Sequence, residues 1–243
     1  MQKKVKIIVA LLVVLPAVFV GGPWVYINLI REPAAQSFVD QITATSLAEM
    51  SVSPTTEAQT QTTLVNLFAS LGDVAGVWQV GTGSQVGYRV DEVLFGQNAT
   101  AVGRTSSVIG TVTIADGNVT AATFTADMTM VRSDNKKRDA QFESRIMDVL
   151  NYPTATFTLE SPIALTVNAL SEPVTHKVQG SLTLRGTTKL VELEIIGTVR
   201  DKRLALTGEI TIVFADWGIP NPSIPGISTE DSGVLEFQLN LDR

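Results

Sequence analysis

The residues best placed to do chemistry are few and scattered. There is no cysteine and a single histidine, His176. Thiolate catalysis, disulfide frameworks, Cys-ligated metals, His-cluster metal sites and Ser/His/Asp triads therefore have almost nothing to draw on. His176 is expected on the surface, ahead of a strand and beside Thr175 and Lys177. The acids Asp127, Glu160, Glu192 and Glu209 fall on the polar, outward side of alternating runs. There they read as solvated surface and not as an acid–base pair. One polar constellation stands apart: Arg138 and Asp139, followed by Arg145 and Asp148. It could hold a lipid headgroup or a quinone oxygen, or it could position a helix through surface ion pairs. Asn98-Ala-Thr100 and Asn118-Val-Thr120 fit the short glycosylation pattern, which chance often produces. The residues propose no catalytic group and no metal ligand.

Composition points to binding and to a membrane. Of 243 residues 44% are hydrophobic, and the mean hydropathy is +0.22. The formal net charge is −6, but Lys3, Lys4, Lys6 and Arg31 lie in a segment free of acids. The rest holds 14 basic against 24 acidic residues, a net of −10, which speaks against a nucleic-acid partner. The 24 residues from Ile7 to Ile30 carry no charge. As a helix they would span about 36 Å, enough to cross a bilayer with some tilt. The lysines would stay in the cytoplasm and send the rest outside. A cleaved signal peptide is the rival reading, with Leu11–Val20 as its apolar core. An uncleaved anchor is favoured, because Trp24-Val25-Tyr26-Ile27 prolongs the apolar run in the manner of an interfacial aromatic anchor.

Residues 1–31 thus form a basic end plus anchor. The stretch from Glu32 to Gly76 has no Lys or Arg and is rich in Ser, Thr, Gln and Ala, so a flexible tether is expected over 32–76. A short helix around Leu64–Leu71 could dock on the following domain. Residues 77–243 make up that domain.

Its hydrophobic period is two, the mark of half-buried strands. Eight such runs occur, centred on Tyr88, Val112, Ala126, Phe157, Leu182, Leu193, Ile210 and Phe237. Short turns, among them Asp116-Gly117 and the one at Gly186, make neighbours antiparallel. The expected fold is all-β: eight one-sided antiparallel strands that either close into a barrel or pack as two sheets, behind one N-terminal transmembrane helix. A helix is expected between strands three and four, where Phe142, Ile146 and Val149 recur at helical spacing before Asn151-Tyr152-Pro153. It would act as lid or plug. By the same count the inward set is Tyr88, Val90, Phe124, Met128, Phe157, Leu182, Leu184, Ile212, Phe214 and Phe237. Met130 joins Met128 as pocket wall or gap filler, and Phe142 and Ile146 close one end. Many inward positions are Val, Ala or Gly, which favours a hollow interior.

Four blocks in order carry a resemblance. They are Trp78-Gln79-Val80 through Ser84 and Tyr88; Arg138-Asp139 with Phe142 and Tyr152-Pro153-Thr154-Ala155-Thr156-Phe157; Val178 to Lys189; and Asp216-Trp217-Gly218-Ile219 with Ser228 to Asp231 and the final strand. The pattern resembles the YceI-like, lipocalin-like family of polyisoprenoid-binding proteins over about residues 77–242. It departs at Phe214-Ala215, where an Arg is frequent, and at Ala140-Gln141, where His-Leu is frequent. The resemblance implies an extended, eight-stranded antiparallel, lipocalin-like barrel whose apolar lumen holds an isoprenoid or similar amphipathic lipid, quinones included, with no other cofactor. Arg138, Asp139 and Arg145 are the candidate headgroup contacts. A membrane-tethered, extracytoplasmic carrier or reservoir is therefore expected. The alternative is a non-enzymatic envelope scaffold with a packed barrel, whose partner is an envelope protein or a second copy of the chain.

Overall fold

A computed structural model describes residues 22–42, 74–165, 173–200 and 203–243. Most of the apolar run and the expected helix at Leu64–Leu71 lie outside the described residues. Among the described residues, no helix is long and apolar enough to cross a membrane. The end of the run is helical, α over Gly22–Val25 and π over Tyr26–Ile30.

Thirteen strands occur among the described residues: β1 (Gly76–Val80), β2 (Gln85–Leu94), β3 (Gln97–Thr105), β4 (Val108–Ala115), β5 (Asn118–Asp127), β6 (Arg132–Ser133), β7 (Thr154–Leu159), β8 (Ile163–Ala164), β9 (Val174–Leu184), β10 (Thr187–Arg200), β11 (Arg203–Val213), β12 (Ile227–Thr229) and β13 (Ser232–Asp242). Eight close a ring in the order β1-β4-β5-β7-β9-β10-β11-β13, and β13 returns to β1 at Val80↔Leu241. Neighbouring strands are antiparallel, so the fold is a closed eight-stranded barrel.

The eight alternating runs of the sequence all become strands, but the ring is not made of those eight. β1 takes one place in it. β2 pairs with β13 further along the same edge, at Phe237↔Val86, and carries β3 and β6 outward as an extension. The chain passes from β1 to β2 at a bend pinned by buried Ser84, whose Oγ donates to the Gly81 carbonyl at 2.8 Å and accepts from Asn240 N at 3.0 Å. β3 escaped the periodicity because its sequence, QNATAVGRT, offers mainly Ala, Gly and Thr, whose contrast between faces is weak.

Three hairpins turn through pairs with positive φ, Phe95-Gly96, Asp116-Gly117 and Arg185-Gly186, the backbone that matches strand twist in two-residue turns. The insert between β5 and β7 holds the expected helix, Lys136–Gln141, with Asn135 Oδ1 accepting from Lys137 N at 2.9 Å as its N-cap. It continues as a π turn over Phe142–Ile146 and ends at Met147. Val149 lies beyond the helix yet is buried.

The interior holds two apolar clusters. One gathers Val90, Phe142, Leu184, Ile212, Phe214 and Trp217 under the insert. The other gathers Trp78, Val112, Ile114, Leu239 and Leu241 at the opposite end, and Leu159 and Phe237 touch both.

Residues 35–38, within the stretch 32–76 expected to be a tether, lie against the outside of the barrel. Arg89 and Arg104 donate to the carbonyls of Ala35 and Gln36 at 2.5 and 2.6 Å, and Phe38 is buried with the Arg104 guanidinium 4.0 Å above its ring. Beneath them is Glu236, 0% exposed although it stands on the outward face of β13. Its carboxylate takes two hydrogen bonds from Arg104, at 3.0 and 2.7 Å, and faces Arg89 at 3.6 Å. A carboxylate so enclosed requires this pairing.

Candidate functional site

Beneath the insert the barrel opens into a cavity of about 270 Å³. β2 supplies Tyr88 and Val90, β11 supplies Ile212, and β9 supplies Leu184; period two sets all of them inward. The insert contributes Phe142 and Ile146 from above, and Met128 and Phe214 complete this group. Eight of the residues expected in the lumen therefore meet here. Tyr88 stacks on Phe142 with ring centroids 5.1 Å apart and planes 14° from parallel, which ties β2 to the lid. Burial pushes the Tyr88 hydroxyl pKa well up, with Arg138 opposing the shift.

Phe124, Phe157, Leu182 and Phe237 line a different, smaller cavity of about 70 Å³ at the waist. The two cavities share Val86, Ala155 and Leu235 as wall. A third of about 70 Å³ lies at the far end, sharing Phe124 and Phe157 with the waist. Met130 belongs to none of them and is 50% exposed. β5 stops at Asp127, whose carboxylate caps a 3-10 turn over Met128–Met130 by accepting from Thr129 N at 2.9 Å. Strand alternation ends there, so two residues after an inward Met128 no longer means inward.

The polar constellation separates into three jobs. Arg138 lies at the cavity mouth, where Nη2 donates to Glu92 Oε1 at 3.1 Å and Nη1 pairs with Asp134. Asp139 is not part of the cavity lining and accepts from Ser133 N and Oγ at 2.8 and 2.6 Å, fastening the insert's start. Arg145 gives its donors to the carbonyls of Asn221 and Pro222 at 3.1 and 2.8 Å and to Gln141, which latches the lid to the loop before β12. Of the three candidate headgroup contacts only Arg138 borders the cavity, joined at the rim by Lys137, Gln141, Asn135 and Glu92.

Sequence reasoning missed Glu92, which continues the inward row of Tyr88 and Val90 as a buried acid at the mouth. It also missed Ala101, Val131, Met147, Ala155 and Leu235 in the wall. The signal for Ala155 and Leu235 was present in their alternating runs; Ala101 lies on the overlooked β3. His176 stands inside β9 opposite Ile195 and borders the far cavity, where a surface position ahead of the strand had been expected. Among the described residues no three His, Cys, Asp or Glu gather as a metal site. The arrangement is a mainly apolar chamber whose rim carries charged and amide groups, Glu92 among them, suited to holding a molecule with a long apolar part and a small polar end.

The barrel has solved counterparts. A polyisoprenoid binding domain from Saccharophagus degradans superposes with a TM-score of 0.56 at 16% identity, over 69% of this chain and 98% of that one. BcnA from Burkholderia cenocepacia superposes with a TM-score of 0.52 at 18% identity, over 66% and 98%. At such identities the likeness is one of fold. No curated protein sequence matches this chain. The profile of the YceI-like domain matches residues 78–241, which takes in the ring, the insert and the cavity, and the chain belongs to the YceI-like domain family.

Proposed function

We propose that the chain binds an isoprenoid, quinone or similar amphipathic lipid, apolar tail inside the barrel and polar end at Arg138 and its neighbours. The observation that carries this reading is the mainly apolar chamber of about 270 Å³, with Asn135, Lys137, Arg138, Gln141 and Glu92 as its charged and amide lining. That volume is just below the roughly 300–1,000 Å³ common for small-molecule sites. A longer tail extends past Val86 and Ala155 into the waist if the rings of Phe124, Phe157 and Phe237 swing aside. The similarity in fold to a polyisoprenoid binding domain supports the ligand class. The apolar run Ile7–Ile30 supports a membrane tether with the barrel outside the cytoplasm, and so a role as carrier or reservoir. The packed far half is what a scaffold module would show throughout; the chamber under the lid favours the binding reading.

The full chain, extracted gently and examined by native mass spectrometry, is expected to carry a long-chain apolar adduct. Stripped protein should take up farnesol or a short-chain ubiquinone. A chain that emerges empty and takes up neither would overturn the proposal. For the tether, carbonate washing should leave the chain in membranes, and protease added outside intact cells should digest the barrel.

A further inference from the structure

The point where the apolar run ends is fastened to the cavity mouth. Arg31, the residue after Ile30, is only 7% exposed in its side chain. Nη1 meets Glu92 Oε1 at 3.3 Å, Nε meets Asp134 Oδ2 at 3.3 Å, and Nη2 donates to the Thr100 carbonyl at 2.6 Å. Glu92 and Arg138, its other partner, both line the mouth. From there residues 35–38 run down the outer face under Arg89 and Arg104. No free length of chain separates the end of the apolar run from the rim. The helical residues before Arg31 expose Trp24, Tyr26 and Leu29. The rim itself presents apolar side chains to solvent: Val93, Ile224 and Phe95, the last 58% exposed. Phe95 N donates to the Gly226 carbonyl at 2.8 Å, so the β2–β3 hairpin tip and the loop before β12 form one edge. Lys136 and Lys137 are exposed on the insert beside it.

We propose that this rim is a membrane-docking surface, and that the barrel stands mouth-down on the outer leaflet of the bilayer that holds residues 7–30. The proposal rests on the anchor reading above. Trp24 and Tyr26 have the chemistry of headgroup-level anchors, and Arg31 follows Trp24 by about 10 Å of helix at ~1.5 Å per residue. Phe95 lies beyond Glu92 by about 10 Å of strand at ~3.3 Å per residue. Where the helix leaves Arg31 in the same sense as β2 leaves Glu92, the two lengths match and a mouth-down barrel brings Phe95 to the depth of Trp24. Exposed Phe and Ile then bury apolar area in the interface, and Lys136 and Lys137 face anionic headgroups. The lipid would pass between bilayer and chamber without crossing water.

Because the chain has no cysteine, single labels are straightforward. Full chain carrying Phe95→Cys, Ile224→Cys or, on exposed Thr120 of β5 at the opposite end, Thr120→Cys is labelled with an environment-sensitive fluorophore. Each is placed in phosphatidylcholine–phosphatidylglycerol vesicles bearing nitroxide lipid in the outer leaflet. Labels at 95 and 224 should be quenched several-fold more than the label at 120. Adding Arg31→Ala should shrink that difference while vesicle flotation is unchanged. Equal quenching at both ends, or stronger quenching at 120, overturns the docking geometry even if the chain floats. Failure to float removes the anchor itself and the docking with it, whatever native mass spectrometry shows about lipid in the chamber.

Discussion

The two halves of the barrel are built from strands of the same alternating kind, yet one is hollow and the other filled. Toward the far end Trp78, Val112 and Leu241 are buried against one another, and the Trp78 indole donates to the Val74 carbonyl at 2.9 Å. The cavity at the waist holds about 70 Å³ and the one at the far end about 70 Å³. Under the insert about 270 Å³ stays open. Inward glycines were expected to leave space, and at the waist they do the reverse. A Cβ on Gly110 would lie 2.5 Å from the Phe124 ring, one on Gly180 2.2 Å from Phe157, and one on Gly208 2.7 Å from Phe237. Each glycine is a notch into which a neighbouring ring is laid. Near the mouth the wall carries the short side chains of Val90, Ala101 and Ala155, and the insert roofs the space instead of filling it. Small inward residues make a cavity only where no aromatic ring can reach them.

Leu241→Ala and Leu184→Ala put that comparison to the most severe test. Leu241 is 0% exposed in the filled half, so truncation should cost about 4 kcal/mol, whereas Leu184 already borders open space and should cost nearer ~2 kcal/mol. Urea unfolding of the two variants measures the difference, and equal losses would erase the distinction between the halves.

Gly180→Ala should destabilise by about 1–3 kcal/mol, because the new methyl meets both the Phe157 ring and the Thr158 carbonyl, 2.7 Å away. Leu184→Trp, a larger insertion, should change stability by about 1 kcal/mol or less, because it grows into the chamber. The same variant should lose its lipid adduct in native mass spectrometry. If Leu184→Trp unfolds while Gly180→Ala is tolerated, the filled and hollow halves have been assigned the wrong way round.

The smallest effect appears only at alkaline pH. Tyr88 has its pKa raised by burial above the usual value near 10. Below that pH the hydroxyl is neutral in folded and unfolded chain alike, and stability is unaffected. Above it the unfolded chain gives up the proton first, so stability falls as pH rises. Tyr88→Phe should flatten this decline in denaturation measured across the alkaline range. An unchanged slope would mean that the mouth half is wet at Tyr88.

How much could be read in advance differs from element to element. The insert helix was legible because Phe142 and Ile146 repeat at a helical spacing before Asn151-Tyr152-Pro153. Two of the positive-φ hairpins were legible from Asp-Gly and Arg-Gly between alternating runs. Met130 was misread because alternation was extended three residues past the end of β5, where the capped 3-10 turn resets the direction of side chains. Glu236 is the sharpest case. Its outward position in β13 is correct, yet it is fully buried, because Phe38 and residues 35–36, far away in sequence, cover that face.

Alternation, turn residues and the insert's periodicity by themselves determined antiparallel one-sided strands, a helix between the third and fourth of the eight alternating runs, and most of the inward residues. These are local properties: a strand's pleat sets each side chain's face from its neighbours alone. Tertiary structure decided which strands close the ring, which aromatic ring fills which glycine notch, and which outward acid is buried. It also decided that Arg138 and Arg31 meet at Glu92 while Arg145 holds the insert to the loop before β12. Those outcomes depend on contacts between residues tens to hundreds of positions apart, and no period in the chain encodes the distance between two faces once it has folded.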